Sequence, residues 1–457
     1  MDAQAWARTQ FAAADLGDLR RTKRSVQLAI QVTAHPSGSL PRQTEPWNDL
    51  RAAYRLFDCD RVTFEAVAGP RRELTRQTPG KALPIIADTT AIDYGPERRA
   101  TGLSPVGSGI GRGFHLHPGL MVSPDDDRAH GLAGQLVSHR QPIDKGEPRT
   151  RRLQRDDRGS QIRGRLAKQI GAPPPGTTWI HAVDRGADDF EFFDHCRRVG
   201  HEWVARAKNP HRDVLTPGGD ERAPYSYLRA LPEAGGFTLE LRARPDQPAR
   251  TAELVIAFGA VAMPTPELKG PFLKQAEPGP MPTRVIRARE VDAPEGADPI
   301  EWVLYTSLPV GNLEAALIVV GRCEKRRPIE EWHKASKTGL QVEQRRLKTS
   351  GRLEAMSGLT SAAAARLFPL KGEARAWPGR PAAGVMPPGY VAMLKAAREP
   401  GPSLVPSAGR FFREPAMPGG FLGRRHDGEP GWVTTWRGWD KLQTMMRGAE
   451  ALINMSQ

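Results

Sequence analysis

Two short apolar runs, "ALPIIADTT" and "TTWIHAVDRGADDFEFF", each close on an aspartate, Asp88 and Asp184. Runs of this length bounded by turn residues read as buried strands, and each delivers a carboxylate to the end of a sheet. Helical patterns lie between and around them, so the chain reads as α/β.

Residues 1 to about 75 read as helical. "RRTKRSVQLAIQVTAH" sets an apolar face behind a basic edge of Arg20, Arg21, Lys23 and Arg24, and "EPWNDLRAAYRLFDCDRVTFEAVAG" continues in the same style. From about residue 80 strands take over, with "GFHLHPGLMVS" and "HGLAGQLVSHRQ" as hairpin-like segments. "GSQIRGRLAKQIG" is expected to be a helix and "EWVARAKN" a strand. Between about 213 and 300 the chain turns rich in Pro, Gly and charge around β-like runs such as "GFTLELRARP" and "TAELVIAFGAV", which reads as an inserted β subdomain. "EWVLYTSLP" resumes the core strands. Helices are expected in "NLEAALIVVGRCEKRR", "RLEAMSGLTSAAAARLFPL", "GYVAMLKAAR" and "TTWRGWDKLQTMMRGAEALINM".

At 457 residues the chain is too long for one simple core. Its 66 Lys and Arg against 52 Asp and Glu give a net charge of +14, which favours a polyanionic partner such as nucleic acid or an anionic membrane. No apolar stretch reaches about 18 residues, so no membrane span is expected, and the opening residues lack the apolar region of a signal peptide. Cys59, Cys196 and Cys323 are widely spread and lack metal-ligand spacing, which fits a reducing cytoplasm. Asp125 to Asp127 read as a hairpin turn. The glycines of "GSGIGRGF" do not follow phosphate-loop spacing.

The stretch "RRPIEEWHKASKTGLQ" holds a carboxylate among cations. On a wheel of about 3.6 residues per turn, Cys323, Arg326, Glu330, Lys334 and Lys337 share one face, while Ile329, Trp332 and Leu340 point to a core. Pro328 either starts a new helix in its first turn or kinks a continuing one. By itself this is a solvated Glu/Lys ladder. Equally, Asp88 can end a strand at a turn, and Asp184 can cap a helix whose first turn carries Asp188 and Asp189. Taken together, Asp88, Asp184 and Glu330 are an oxygen-only set suited to Mg²⁺ or Mn²⁺. Such a set can hold two ions about 3.5–4 Å apart for phosphoryl transfer.

The set "ADTT" around Asp88, "VDRGADDFEFF" around Asp184, and R-x(3)-E-x(6)-K at Arg326, Glu330 and Lys337 resembles the bacterial cut-and-paste DDE transposases of the insertion-sequence-four group. Similar segments occur in the same order along nearly the whole chain: "DLGDLRRTKR", "AAYRLF", "RGFHLH", "RAKNPHRDV", "EWVLYTSLPV" and the terminal "GWDKLQ". The resemblance implies a ribonuclease-H-like catalytic core, a mixed sheet flanked by helices, at 76–371 with a β insertion at about 213–300. It implies a helical DNA-binding domain at 1–75 and a helical dimerisation domain at 372–457. Asp88, Asp184 and Glu330 would be catalytic metal ligands for Mg²⁺ or Mn²⁺, two ions per site.

The same resemblance makes Arg326, Lys334 and Lys337 grips for transposon-end phosphates, and Arg206 and Lys208 further DNA contacts. Trp302 is matched to an aromatic on which a flipped base stacks; on its own pattern it opens an apolar strand and reads equally as core. Arg20 and Arg21 would help read the end sequence. The implied protein is a homodimer on paired inverted-repeat ends, acting in the bacterial cytoplasm on end and target DNA through nicking, hairpin formation, hairpin opening and strand transfer. Two positions depart from the family pattern. Cys323 stands where the family has a tyrosine, a weak donor in place of a phenol, and Arg327–Pro328 replaces an aromatic-basic pair. A nuclease that cuts without joining and an inactive DNA-binding remnant acting as repressor are the alternative readings.

Overall fold

The computed structural model describes residues 3–455 except 45, 126–127, 141–145, 156–157, 209–211, 242–247, 268–270, 272–275, 326, 377, 383–387, 397–406, 425–426 and 428. The chain opens with α1 (Ala3–Phe11), α2 (Leu19–Ala34), α3 (Leu40–Gln43), α4 (Trp47–Phe57) and α5 (Phe64–Arg76). Asp18 caps α2 by accepting the Arg20 N–H at 2.7 Å, and the helix then buries Leu28, Ala29 and Val32 on one side. Thr63 caps α5 in the same way through Ala66.

Strands β1 (Ala82–Ala87), β2 (Thr90–Asp93), β3 (Ser104–Val106), β4 (Gly111–Val122) and β5 (Ala129–Ser138) follow. Next come α6 (Arg149–Leu153), α7 (Ile162–Ile170), β6 (Thr178–Val183), α8 (Phe190–Val199) and β7 (Glu202–Arg206). The region read as an insertion carries β8 (Val214–Leu215), β9 (Glu221–Arg222), α9 (Pro224–Arg229), β10 (Gly235–Leu241), β11 (Arg250–Met263) and β12 (Met281–Val291). β13 (Glu301–Thr306) and α10 (Leu313–Glu324) lead to α11 (Arg327–Lys334), α12 (Ser350–Ala376), α13 (Pro388–Ala396), α14 (Ala408–Arg413) and α15 (Trp432–Met455).

These elements form two compact units, Met1–Thr78 with Thr89–Arg140 and Pro328–Gln457, and Pro79–Asp88 with Gln141–Arg327. The second unit is built on a mixed sheet in the order β1-β6-β7-β13-β12-β11-β8-β9, with β10 beside β11. β1, β6 and β7 run parallel and the remaining pairs antiparallel. Alternate residues of the same strands feed two cores. Trp203, Ala205, Val303 and Tyr305 pack with Phe190 and Phe193 of α8, whereas Val204, Leu304 and Ile286 pack with Ala316, Val319 and Val320 of α10. With both faces covered, the central strands read as continuous apolar runs.

In the first unit β4 is the central strand, flanked by β2 and β3 along one part and by β5 along the other. α5 packs on β5 and α12, where a fully buried Arg71 bonds the Gly358 carbonyl at 3.1 Å and Gln135 Oε1 at 2.9 Å. Burial pulls the Arg71 guanidinium down to about 9, so it stays charged at neutral pH among its acceptors.

The stretch expected as one helical face is broken twice. α10 stops at Glu324 and a new helix opens at Arg327 with Pro328 in its first turn, where its missing N–H costs nothing. Cys323 therefore belongs to the preceding helix, buried against Val319 and Val320. The backbone then widens into a π-helical turn at Ala335–Gly339, and Leu340 N–H bonds the Ala335 carbonyl at 3.0 Å. A uniform wheel thus fails on both sides of Glu330.

Candidate active site and nucleic-acid interface

β1 and β6 pair in parallel with Ile85 opposite His181 and Ile86 opposite Ala182. Continued by two residues, that register sets Asp88 opposite Asp184. Both aspartates are half-buried and directly follow the ends of these adjacent strands, at the same end of the sheet. Both side chains offer oxygen donors alone, the kind a hard divalent cation takes. Glu330 lies in the first unit, exposed in the first turn of α11. Within neither unit do the described residues bring three or more His, Cys, Asp or Glu side chains together as a metal cluster.

The acids after β6 divide their tasks. Asp184 Oδ1 accepts the Gly186 N–H at 3.0 Å and closes a tight turn at Arg185–Ala187. Asp188 has a fully buried side chain that pairs with Arg212 and accepts the Lys208 backbone N–H at 2.8 Å. Arg212 also donates to the Asp188 carbonyl at 3.1 Å and lies 5.8 Å from the Tyr305 ring centre. Burial, with the Asp188 charge nearby, raises the Tyr305 phenol well above its ordinary value. Asp189 caps α8 through Glu191 N–H at 3.0 Å, and left-handed Gly200 ends that helix. The helix cap is thus Asp189, while Asp184 closes the turn before it.

Asp188 precedes the helix instead of lying in its first turn, and the cluster of acids in "DRGADD" is its only signal in the sequence. It fastens Lys208, whose side chain is exposed, to the turn that carries Asp184.

On β7, Arg206 lies opposite Leu304 of β13, and its guanidinium sits 5.3 Å from the Trp302 ring centre. Trp302 is half-buried and packs against the core on the α10 side. In the first unit Lys334 is exposed and half-buried Lys337 pairs with Glu343 at 3.2 Å. Arg326 lies outside the described residues.

The basic edge of α2 separates into two kinds of cation. Arg20 is almost fully exposed, with a loose 4.0 Å approach to Asp18, and Lys23 is exposed as well. Arg21 donates to the Leu16 carbonyl at 2.8 Å, and Arg24 pairs with Asp49 of α4 at 2.7 Å. The Arg24 hydrogen bond holds the Asp49 carboxyl below the usual range. Beside this edge α4 exposes Trp47, Arg51, Tyr54 and Arg55, a mixed aromatic and basic surface of the sort that meets nucleic acid.

Residues 3–62 match the transposase DNA-binding family model. The match spans α1 to α4 and takes in both the α2 edge and the α4 surface. It supports a transposase with DNA as its partner. Among the described residues no helix is long and apolar enough to cross a membrane.

Proposed function

We propose that the protein is a cut-and-paste DNA transposase of the insertion-sequence-four group, cutting at inverted-repeat ends and joining 3′ ends to target DNA. The match of residues 3–62 to transposase DNA-binding domains carries this reading. The two aspartates that follow adjacent parallel strands, Asp88 and Asp184, support the chemistry, and the mixed sheet with helices on both faces supports a ribonuclease-H-like core at 76–371. In this reading the helices of 1–75 bind the end sequence, the strands of 213–300 are an insertion, and α15 serves a dimerisation region at 372–457. The enzyme works in the cytoplasm as a homodimer.

Asp88, Asp184 and Glu330 are the carboxylates that would hold Mg²⁺ or Mn²⁺, two ions per site. Bound there, such ions supply a deprotonated nucleophile and stabilise the leaving oxygen. The chain's own residues do the rest. Asp184 is fixed by the Gly186 N–H, so its carboxylate meets its load already oriented. Lys334, Lys337 and Arg326 neutralise phosphates beside the reacting bond. Arg206 steadies Trp302, whose half-exposed ring is the stacking surface for an unpaired base.

A second reading has one observation in its favour. Cys323 is buried in a core and presents no surface group where related enzymes carry a phenol. A DNA-binding remnant that occupies transposon ends as a repressor would tolerate that.

The test incubates purified protein with a plasmid bearing its flanking inverted repeats and Mg²⁺ or Mn²⁺. Excision with hairpin ends, abolished by Glu330→Ala and by Asp88→Ala, is expected. Cleavage without joining would leave a nuclease, and binding with no strand break would leave the repressor.

A further inference from the structure

The turn that carries Asp184 is crossed by an arginine from another helix. α7 packs closely on α8, since Gly164 lies directly against the His195 ring, and this fixes where half-buried Arg163 stands along α7. Its guanidinium reaches the turn after β6. A methyl group built on Gly186 would lie 2.8 Å from Arg163 Nη2 and 3.1 Å from Asp184 Oδ1. Gly186 has no positive φ, so glycine is needed there for room rather than for backbone freedom. The missing side chain is the space through which Arg163 approaches the carboxylate.

Four other arginines of this region already have acidic partners. Arg158 bonds Glu191 at 2.8 Å, Arg197 and Arg198 pair with Asp194, and Arg212 pairs with Asp188. Arg163, by contrast, forms no ion pair and no hydrogen bond among the described residues. A partly exposed guanidinium held beside a proposed metal-binding carboxylate, with its donors uncommitted, has the fork geometry that grips two phosphate oxygens at once.

We infer that Arg163 is a phosphate-binding residue of this site, holding the DNA strand that Asp184 serves, and that Gly186 is the opening it reaches through. This rests on the proposed reaction of DNA at Asp184, and deepens it by adding a contact from α7. Arg163 would neutralise a phosphate and would draw the strand toward the carboxylate before any bond changes.

The experiment is a fluorescence-anisotropy titration of the full chain against a duplex carrying the flanking inverted repeat, without divalent metal, at several salt concentrations. The variants are Arg163→Ala, Arg163→Lys and Gly186→Ala, each first compared with the parent by thermal unfolding. Arg163→Ala should weaken binding about tenfold and flatten the plot of log K against log salt by about 0.9, the share of one phosphate. Arg163→Lys should keep the slope. Gly186→Ala should mimic Arg163→Ala, because its methyl displaces the flexible tip of Arg163 at little cost to the fold. A slope unchanged in both Arg163→Ala and Gly186→Ala would overturn the role given to Arg163 while leaving the transposase reading intact. A parent protein that does not bind the duplex would overturn that reading, and this inference with it.

Discussion

Asp184, Asp188 and Asp189 lie within six positions of one another, yet one closes a turn, one is a buried ion-pair partner and one caps a helix. Asp188→Ala would leave Arg212 and the Lys208 N–H without their acceptor, a loss of about 3–5 kcal/mol. Urea unfolding should show it, and a change below about 1 kcal/mol would mean the ion pair is replaceable by water. His333 gives the pH response. Burial, with Lys337 adding a like charge, pulls it down to about 4. Between its ordinary value near 6.5 and about 4 the unfolded chain takes up a proton that the folded one refuses. Stability is therefore full above pH 6.5 and falls as pH drops toward 4, by roughly 3 kcal/mol at most. His333→Leu should flatten that part of a plot of melting temperature against pH; an unaltered slope would assign the acid sensitivity to other groups. The aspartates at the two strand ends were legible because an apolar run meeting a turn is a local pattern. The division of labour among the acids was not, since it depends on Lys208 and Arg212 arriving from beyond another strand.

The departure from the expected helix lies at the scale of elements. A wheel assumes a constant rise and twist, so it could not register a stop at Glu324, a proline start at Arg327 and a π-helical turn at Ala335–Gly339. That turn is held by contacts from distant segments. Arg345 donates to the carbonyls of Gly38 at 2.6 Å, Pro36 at 3.1 Å and Leu340 at 2.6 Å, and to Gln43 Oε1 at 2.9 Å. Burial draws this arginine down to about 10, still cationic at neutral pH. On its other side the turn meets α15, where Gly339 has the Trp436 indole directly over the place a Cβ would occupy. Gly339→Ala should therefore overpack this contact and cost about 1–3 kcal/mol. The cost should shrink when Trp436→Leu is added, because the alanine then has room. Equal penalties in the two backgrounds, measured as shifts in melting temperature, would show that the turn yields without pressing on the tryptophan. Alternation along the core strands, by contrast, was readable, because period two survives any register.

For the molecule as a whole, a net charge of +14 is a statement about association, and only some of its cations are available for it. Arg24 is committed to Asp49 and Arg21 to the Leu16 carbonyl, whereas Arg20 and Lys23 stand exposed on the same helix. If six to ten phosphates are neutralised in the complex, affinity for end DNA should fall by roughly 10³–10⁵ between 50 and 200 mM salt. Removing two of those contacts with Arg20→Ala and Lys23→Ala together should lower the slope by about 1.8, at about 0.9 per phosphate. Surface substitutions of this sort should leave the melting temperature nearly unchanged. Arg24→Ala should behave in the opposite sense. It leaves the Asp49 carboxylate with the Gln31 hydrogen bond at 2.7 Å, removes a partly exposed pair worth about 0.5–1 kcal/mol, and changes the salt slope little. Anisotropy titrations of the three proteins at four salt concentrations separate these outcomes. A slope that drops with Arg24→Ala and not with the Arg20 and Lys23 pair would move the DNA contact to the α4 side of the domain, where Arg51 and Arg55 are exposed. A flat response in the parent protein would remove DNA as the partner of this charge.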